Sequence, residues 1–145
     1  MPESRRNGDI KQALKSDVNI RLGIFLNSGT VIGDVALQSI DRANRSCSLG
    51  TGLIGIAKFE NHGKGYGTQA LCLIMEYAFG NLGLERITAS TMEINIPAQK
   101  VLEKLGFILE GRERKAVYFR GRKYDNLNFG MLADEYIGKF IESDL

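Results

Sequence analysis

The stretch Asn61-His62-Gly63-Lys64-Gly65-Tyr66-Gly67-Thr68 decides the fold of this chain, because an apolar helical pattern begins directly after it. A glycine-rich turn at a helix start presents free backbone N–H groups and the positive end of the helix dipole. Both features favour a bound phosphate. The alternative is a glycine turn that binds nothing. Because Thr68 already lies in the first turn of the predicted helix, we favour the phosphate site.

A second segment, Asn95-Ile96-Pro97-Ala98, opens the next predicted helix, which ends at Leu105-Gly106-Phe107. Pro97 suits the first turn of a helix, and Gly106 suits the position just after its end. An asparagine at the mouth of this helix can bind an extended amide ligand in register. The two segments together indicate a ligand with a pyrophosphate at one end and peptide-like amides at the other. Coenzyme A has that shape.

Two other nucleotide-binding patterns fail on their context. The string Gly50-Thr51-Gly52-Leu53-Ile54-Gly55 matches the dinucleotide fingerprint, but Ile56-Ala57-Lys58 continues as a strand where that fingerprint needs a helix. We therefore interpret these glycines as a bulged strand or a place of close approach by a ligand. The Walker A pattern fails because Gly63-Lys64 is followed by Gly65 and not by Ser or Thr.

Apolar periodicity and turn residues give the remaining elements. We predict a short helix at residues 10–18, strands at 20–26, 30–38, 46–58, 84–92, 107–119 and 124–132, and helices at 68–79 and 97–105. This order gives antiparallel strands, a strand–helix–strand–helix core and a closing hairpin, which is a mixed α/β (α+β) fold. Residues 1–9 are expected to form a flexible tail and residues 10–145 a single domain.

Composition limits the class of protein. A chain that is 43% hydrophobic and 25% charged fits a soluble globular domain. The net charge of +2 is too small to indicate a nucleic-acid partner. Cys47 and Cys72 have neither metal-ligand spacing nor a disulfide framework, so we expect no metal and a reducing, cytoplasmic compartment. We find neither a membrane-length apolar stretch nor the apolar core of a signal peptide.

These motifs carry a family resemblance. The string His62-Gly63-Lys64-Gly65-Tyr66-Gly67 resembles the pyrophosphate loop of the GNAT superfamily of acyl-CoA N-acyltransferases, Arg/Gln-x-x-Gly-x-Gly/Ala. The segment from Asn95 to Phe107 is similar to the family's later motif, Asn-x-x-Ala/Ser before a helix that ends in Gly-Phe. Three further strings resemble the RimJ/RimL-like and spermidine acetyltransferase branch: Asn44-Arg45-Ser46, Phe107-Ile108-Leu109-Glu110-Gly111 and Gly121-Arg122-Lys123-Tyr124-Asp125.

The resemblance covers residues 19–136 and implies a central sheet that is splayed between two parallel strands, at residues 54–58 and 87–92. Acetyl-CoA would lie in the gap. Its pantetheine amides would pair with the edge of the first strand, whose N–H groups near Ile56 and Ala57 would also face the reacting carbonyl. The implied cofactor-binding residues are Ile56, Ala57, Lys58, His62, Gly63, Lys64, Gly65, Tyr66, Gly67, Thr68 and Asn95.

The implied activity is acetyl transfer from acetyl-CoA to a primary amine, which is a protein N-terminus, a polyamine or another small amine. Three departures favour an alternative, a CoA-binding module with little or no catalysis. Leu102 stands where many members carry a tyrosine general acid, and Ala98 stands where some relatives have serine. Members also usually have a longer segment in front of the first strand. That front segment helps to wall the acceptor site, so a homodimer would be one way to complete it.

The reaction needs a neutral amine and a proton for the leaving thiolate. Glu93, just beyond the strand at 84–92, is our candidate base, and a solvated loop carboxylate is the alternative. Tyr124 is our candidate acid, and hairpin packing is the alternative. Residues 112–123 hold six basic residues beside Tyr118 and Phe119. They suit either a solvated hairpin face or contact with RNA or an acidic protein. We favour the former and do not expect a nucleic-acid partner.

Overall fold

The computed structural model describes residues 18–25, 27–29, 31–50 and 66–137 of the 145-residue chain. Six strands form one sheet in the order β1-β2-β3-β4-β6-β5. Their bounds are β1 Ile20–Phe25, β2 Val31–Asp41, β3 Ser46–Leu49, β4 Arg86–Met92, β5 Ile108–Phe119 and β6 Arg122–Leu132. The pair β3–β4 is parallel, whereas β1–β2, β2–β3, β4–β6 and β6–β5 are antiparallel. The mixed α/β architecture predicted from the sequence is confirmed.

In the part of the chain that the structure describes, three helices accompany the sheet. They are α1 at Tyr66–Glu76, α2 at Ile96–Leu105 and the short α3 at Ala133–Ile137. A π-helical turn, Tyr77–Asn81, continues α1, and the Leu82 N–H donates to the Tyr77 carbonyl oxygen at 3.0 Å. The predicted helix at 68–79 is therefore confirmed, and it continues for two residues through the π turn. Gly83, with φ of 66°, follows the end of that turn.

The hydrophobic core lies between the helices and one face of the sheet. Along β4, Ile87 and Ala89 are buried in this core, whereas Arg86, Thr88 and Ser90 alternate with them and stand on the opposite face. The helices bring their apolar residues to the first face: Leu71, Ile74, Met75, Leu102 and Leu105. One face of β4 therefore packs in the hydrophobic core, and the opposite face is polar.

Most predicted strands are confirmed within a few residues of their ends. The strand predicted at 30–38 continues to Asp41, and a turn at residues 42–45 follows it. Helix α3 had no sequence prediction. The predicted strand at 46–58 is described only as far as Leu49, and it pairs in parallel with β4 from Ser46 to Ser48. Residues 54–58, predicted to flank the gap, and the predicted helix at 10–18, except for Val18, lie outside the described residues.

Within the described ranges, no helix is long and apolar enough to cross a membrane. The same part of the chain contains no group of three or more His, Cys, Asp or Glu side chains that could hold a metal ion.

Candidate active site

The parallel strands β3 and β4 separate in the middle of the sheet. Their pairing runs from Ser46 opposite Arg86 to Ser48 opposite Thr88, and in the described residues it goes no further. Strand β3 stays with β2, because the Gly50 N–H still donates to the Ala36 carbonyl oxygen at 2.8 Å. Strand β4 instead stays with β6 as far as Met92, opposite Asn126. Beyond Ser48 and Thr88, the edge of β4 on this side therefore has no strand partner among the described residues.

A cavity of about 490 Å³ lies over the point of separation, on the sheet face away from the helices. Its polar lining comes from β2, β3, β4 and β6: Gln38, Ser48, Thr88, Ser90 and Asn128. The ion pair between Arg86 and Glu110 also lines it. The size suits a small-molecule site, and the polar groups converge on it from four strands.

Hydroxyl and amide groups dominate this cavity. The Ser48 hydroxyl donates to the Gln38 carbonyl oxygen at 3.2 Å, and the Thr88 hydroxyl donates to the Cys47 carbonyl oxygen at 3.4 Å. Both hydroxyl oxygens retain lone pairs for a ligand donor. The side chains of Gln38 and Ser90 form no hydrogen bond to any described residue. The lining therefore offers acceptors and donors without a net charge of its own.

The charged edge of the cavity is a bidentate ion pair. Arg86 donates from Nη1 to Glu110 Oε2 at 2.8 Å and from Nη2 to Glu110 Oε1 at 2.5 Å. Hydrogen bonding from Arg86 lowers the pKa of the Glu110 carboxyl below its ordinary value, and the same bond raises the pKa of the guanidinium. The pair is therefore fully ionised at neutral pH, and each charge neutralises the other.

The predicted phosphate site falls partly on the described residues. Helix α1 begins at Tyr66, so Tyr66, Gly67 and Thr68 form its first turn. The first N–H groups of an α-helix have no partner inside the helix, and no acidic residue occupies this turn to repel an anion. These three positions fit a pyrophosphate. The remaining predicted cofactor residues lie outside the described ranges: Ile56, Ala57, Lys58, His62, Gly63, Lys64 and Gly65.

Asn95 caps α2. Its Oδ1 accepts the Ala98 N–H at 3.2 Å, and Pro97 lies in the first turn behind it. At the other end Gly106 takes a left-handed conformation with φ of 98°, as its predicted place after the helix requires. The predicted helix end is confirmed. The Asn95 side chain is exposed, and its Nδ2 group is the part not used by the cap.

The two candidate catalytic residues lie outside the cavity lining. Glu93 accepts the Asp125 N–H through Oε2, and its Oε1 lies 3.9 Å from Arg112 Nη1. Its carboxylate thus ties the turn after β4 to the hairpin of β5 and β6. Tyr124 is half-buried on β6 opposite Val117. Their assignment as base and acid stays a prediction.

Sequence reasoning missed most of the cavity lining. One signal was present, since the alternation of residues 86–92 already separates Thr88 and Ser90 from the buried Ile87 and Ala89. Gln38 and Asn128 carry no local signal, because only the strand order brings them to Ser48 and Ser90.

Leu102 is 1% exposed and packs in the core on the helix side of the sheet, away from the cavity. Cys47 is also buried, and burial raises the pKa of its thiol to about 12.

Comparison with known proteins identifies relatives that match most of this chain. The family model described as an acetyltransferase (GNAT) domain matches residues 3–108. Probable N-acetyltransferase YjcK of Bacillus subtilis is 38% identical over 121 residues, which are 82% of this chain and 65% of that protein. YdaF of the same organism, whose name proposes a ribosomal N-acetyltransferase, is 33% identical over 125 residues, 86% of this chain and 66% of that protein. The chain thus spans just under two thirds of the length of each.

Solved structures show the same fold. A crystal structure of a probable acetyltransferase is 30% identical, with a TM-score of 0.76, and the match covers 89% of this chain and 70% of that one. Mutant forms of the spermidine/spermine N-acetyltransferase SpeG from Vibrio cholerae are 25% identical, with a TM-score of 0.79, and the match covers 90% of this chain and 76% of that one.

Proposed function

The chain belongs to the GNAT acetyltransferase family, and we propose that it transfers an acetyl group from acetyl-CoA to a primary amine. The observation that carries this proposal is the separation of β3 and β4 beyond Ser48 and Thr88, with a polar cavity directly over it. A gap between parallel strands leaves backbone N–H and C=O groups of β4 without a strand partner among the described residues. Such an edge can pair with the amides of an extended ligand.

One part of the described chain fits acetyl-CoA. The first turn of α1, at Tyr66, Gly67 and Thr68, supplies backbone N–H groups for the pyrophosphate. For the pantetheine amides we keep the edge of the strand predicted at residues 54–58, which lies outside the described residues. When bound, acetyl-CoA supplies an activated thioester. The chain itself has to hold the amine in line with that thioester and receive its proton.

The cavity lining suits the acceptor side of the site. The acceptor amine has to be neutral when it attacks, so a lining of hydroxyl and amide groups favours it over a lining of carboxylates, which would stabilise the ammonium form. Ser90 and Gln38 have free polar side chains among the described residues and are our choice for contacts with the acceptor. Glu93 and Tyr124 stay the proposed base and acid.

Three acceptor classes belong to the proposal: a protein N-terminus, a polyamine and another small amine. The names of the similar proteins point both to a ribosomal acceptor and to spermidine or spermine. An amine panel therefore has to contain a peptide with a free N-terminus, spermidine and a monoamine. We also propose a cytoplasmic location, since Cys47 and Cys72 are buried and form no disulfide. We further propose a homodimer, which light scattering after size exclusion would test.

Calorimetric titration with acetyl-CoA, followed by CoA release with the amine panel, tests the function. We expect saturable binding that is lost in Gly65→Glu, because a carboxylate in the glycine segment repels a pyrophosphate. Gly80→Glu is the matched control and should bind normally, because residue 80 is exposed and an added β-carbon there would meet nothing within 4 Å. CoA release with any amine supports catalysis. Binding without release by any amine would leave the CoA-binding module, and no binding by the folded protein would overturn the proposal.

A further inference from the structure

The basic hairpin, residues 112–123, concentrates the positive charge of this protein. It holds six basic residues and one acidic residue, a net charge of +5, whereas the whole chain has +2 and the other residues together have −3. The basic members are Arg112, Arg114, Lys115, Arg120, Arg122 and Lys123. All six are exposed. The small total charge therefore conceals a strong local field, which attracts polyanions.

Most of these cations have no carboxylate partner. Arg112 binds Asp125 at 2.7 Å. The other five basic side chains of the hairpin form no ion pair with any described residue. Charged residues on an edge strand are often explained as protection against edge-to-edge pairing. That explanation suits Arg114 and Lys115 on β5, and also Arg122 and Lys123, because β6 has no β4 partner past Asn126. It does not cover Arg120 in the turn or the aromatic rings beside these cations.

The base of the hairpin is held rigidly. Asp125 accepts the Lys115 N–H at 2.9 Å and the Arg112 guanidinium, and its own backbone is tied on both sides to Glu93. Beyond this point β4 has ended, because its last residue, Met92, pairs with Asn126. Among the described strands, β5 and β6 pair only with each other past this point, so the tip of the hairpin is a two-stranded ribbon whose backbone register is set by these bonds.

Aromatic rings stand beside the cations on both faces of the tip. Tyr118 is directly opposite Lys123, and Phe119 is directly opposite Arg122. Residues in directly opposite positions share one face of the ribbon. The Tyr118 side chain is 71% exposed, and the Arg120 guanidinium lies 5.1 Å from the centre of the Phe119 ring. An exposed aromatic ring next to unpaired cations is the arrangement that binds bases by stacking and phosphates by charge.

We propose that the tip of the basic hairpin binds single-stranded nucleic acid, with Arg120, Arg122 and Lys123 on phosphates and the Tyr118 ring against a base. An acidic polypeptide would use the same cations but would gain nothing from a stacking surface. The proposal concerns a surface outside the cavity, so it does not depend on acetyl transfer.

Fluorescence anisotropy with a labelled single strand of about 12 nucleotides, as RNA and as DNA, tests this surface across a salt series. We expect saturable micromolar binding at low salt. The triple variant Arg120→Gln/Arg122→Gln/Lys123→Gln should weaken binding at least about tenfold and reduce the salt slope by about 2, because each phosphate contact on a single strand contributes about 0.7. Tyr118→Leu should weaken binding about fivefold or more and leave the slope unchanged, whereas Tyr118→Phe should bind normally.

The matched control removes three exposed cations elsewhere, Arg42→Gln/Lys100→Gln/Lys104→Gln, and should bind like the unaltered protein. Circular dichroism and thermal unfolding establish that each variant folds. Absence of binding at low salt overturns the proposal, as does an equal loss in the control triple. A polyglutamate peptide that competes as well as RNA at equal charge, together with an unaffected Tyr118→Leu variant, also overturns it and assigns the hairpin to an acidic protein partner.

Discussion

The carboxylate of Glu110 lies directly over Gly130, in the space that a β-carbon on residue 130 would fill. From this position it binds both Nη groups of Arg86. Because Gly130 pairs with Thr88 on one side and with Ile108 on the other, the ion pair crosses β6 and joins three strands at the edge of the cavity. The glycine is what allows this crossing.

We expect Gly130→Ala to separate Glu110 from Arg86, because the new methyl group would occupy the place of the carboxylate. The free energy of unfolding should fall by no more than about 1 kcal/mol, since both side chains are more than one third exposed and the displaced group is the end of a flexible side chain. Urea unfolding of a double-mutant cycle with Glu110→Gln checks this. The two changes should be less than additive, and strict additivity would show that Gly130 does not support the pair.

The Arg86–Glu110 pair should also make stability depend on pH in the acid range. Hydrogen bonding from Arg86 lowers the folded-state pKa of Glu110 below the ordinary value of 4.5. The unfolded state therefore takes up a proton first, so the contribution is complete above 4.5 and is lost as the pH falls through the lower folded value. Unfolding curves of the wild type and Glu110→Gln should differ at neutral pH and converge in acid. A difference that grows below pH 4.5 would contradict this assignment.

Asp125 should control the order of the hairpin. Its carboxylate binds Arg112 and accepts the N–H of Lys115, a residue in a β5 bulge with φ of 51°. These two hydrogen bonds lower the pKa of the Asp125 carboxyl below its ordinary value. Asp125→Ala should speed hydrogen exchange at the Lys115 amide, because its acceptor is removed. Asp125→Asn retains an acceptor oxygen and should be intermediate. Equal exchange rates in all three proteins would show that the bulge is held by other contacts.

The sequence predicted the helix ends that depend only on the residues beside them. The ends of α2 follow from Asn95, Pro97 and Gly106, and each structural role was readable from its residue type. Pairing between distant segments was not readable in the same way. Nothing near Glu110 in the sequence indicates that it would cross Gly130 to reach Arg86, and the parting of β3 from β4 depends on what each strand pairs with on its other side. Helix α3 was missed because five residues are too short to show a helical period.

Gly50 should tolerate no side chain, because β2 approaches it closely where β3 leaves β4. An ideal β-carbon there would lie 2.9 Å from the Ala36 Cβ and 3.3 Å from Gln38 Nε2. Gly50→Ala should therefore destabilise the fold by about 1–3 kcal/mol through overpacking. Gly111→Ala is the matched strand control, since its β-carbon would meet nothing within 4 Å. Equal unfolding midpoints for the two variants in urea would show that β2 and β3 can move apart without cost.

Replacing Leu102 by tyrosine tests whether the residue type that many family members carry there can act in this chain. Leu102 is 1% exposed and lies within the core cluster of α1, α2 and the sheet. A larger ring overpacks this site by about 1–3 kcal/mol. Its hydroxyl, if left without a partner, adds about 1–3 kcal/mol. We therefore expect Leu102→Tyr to lower the free energy of unfolding by at least about 2 kcal/mol and to leave the rate of CoA release per folded molecule unchanged. Leu102→Met, which conserves volume, should cost less than about 1.5 kcal/mol. A stable Leu102→Tyr variant with faster CoA release would place residue 102 at the reacting centre and contradict the position of α2 relative to the cavity.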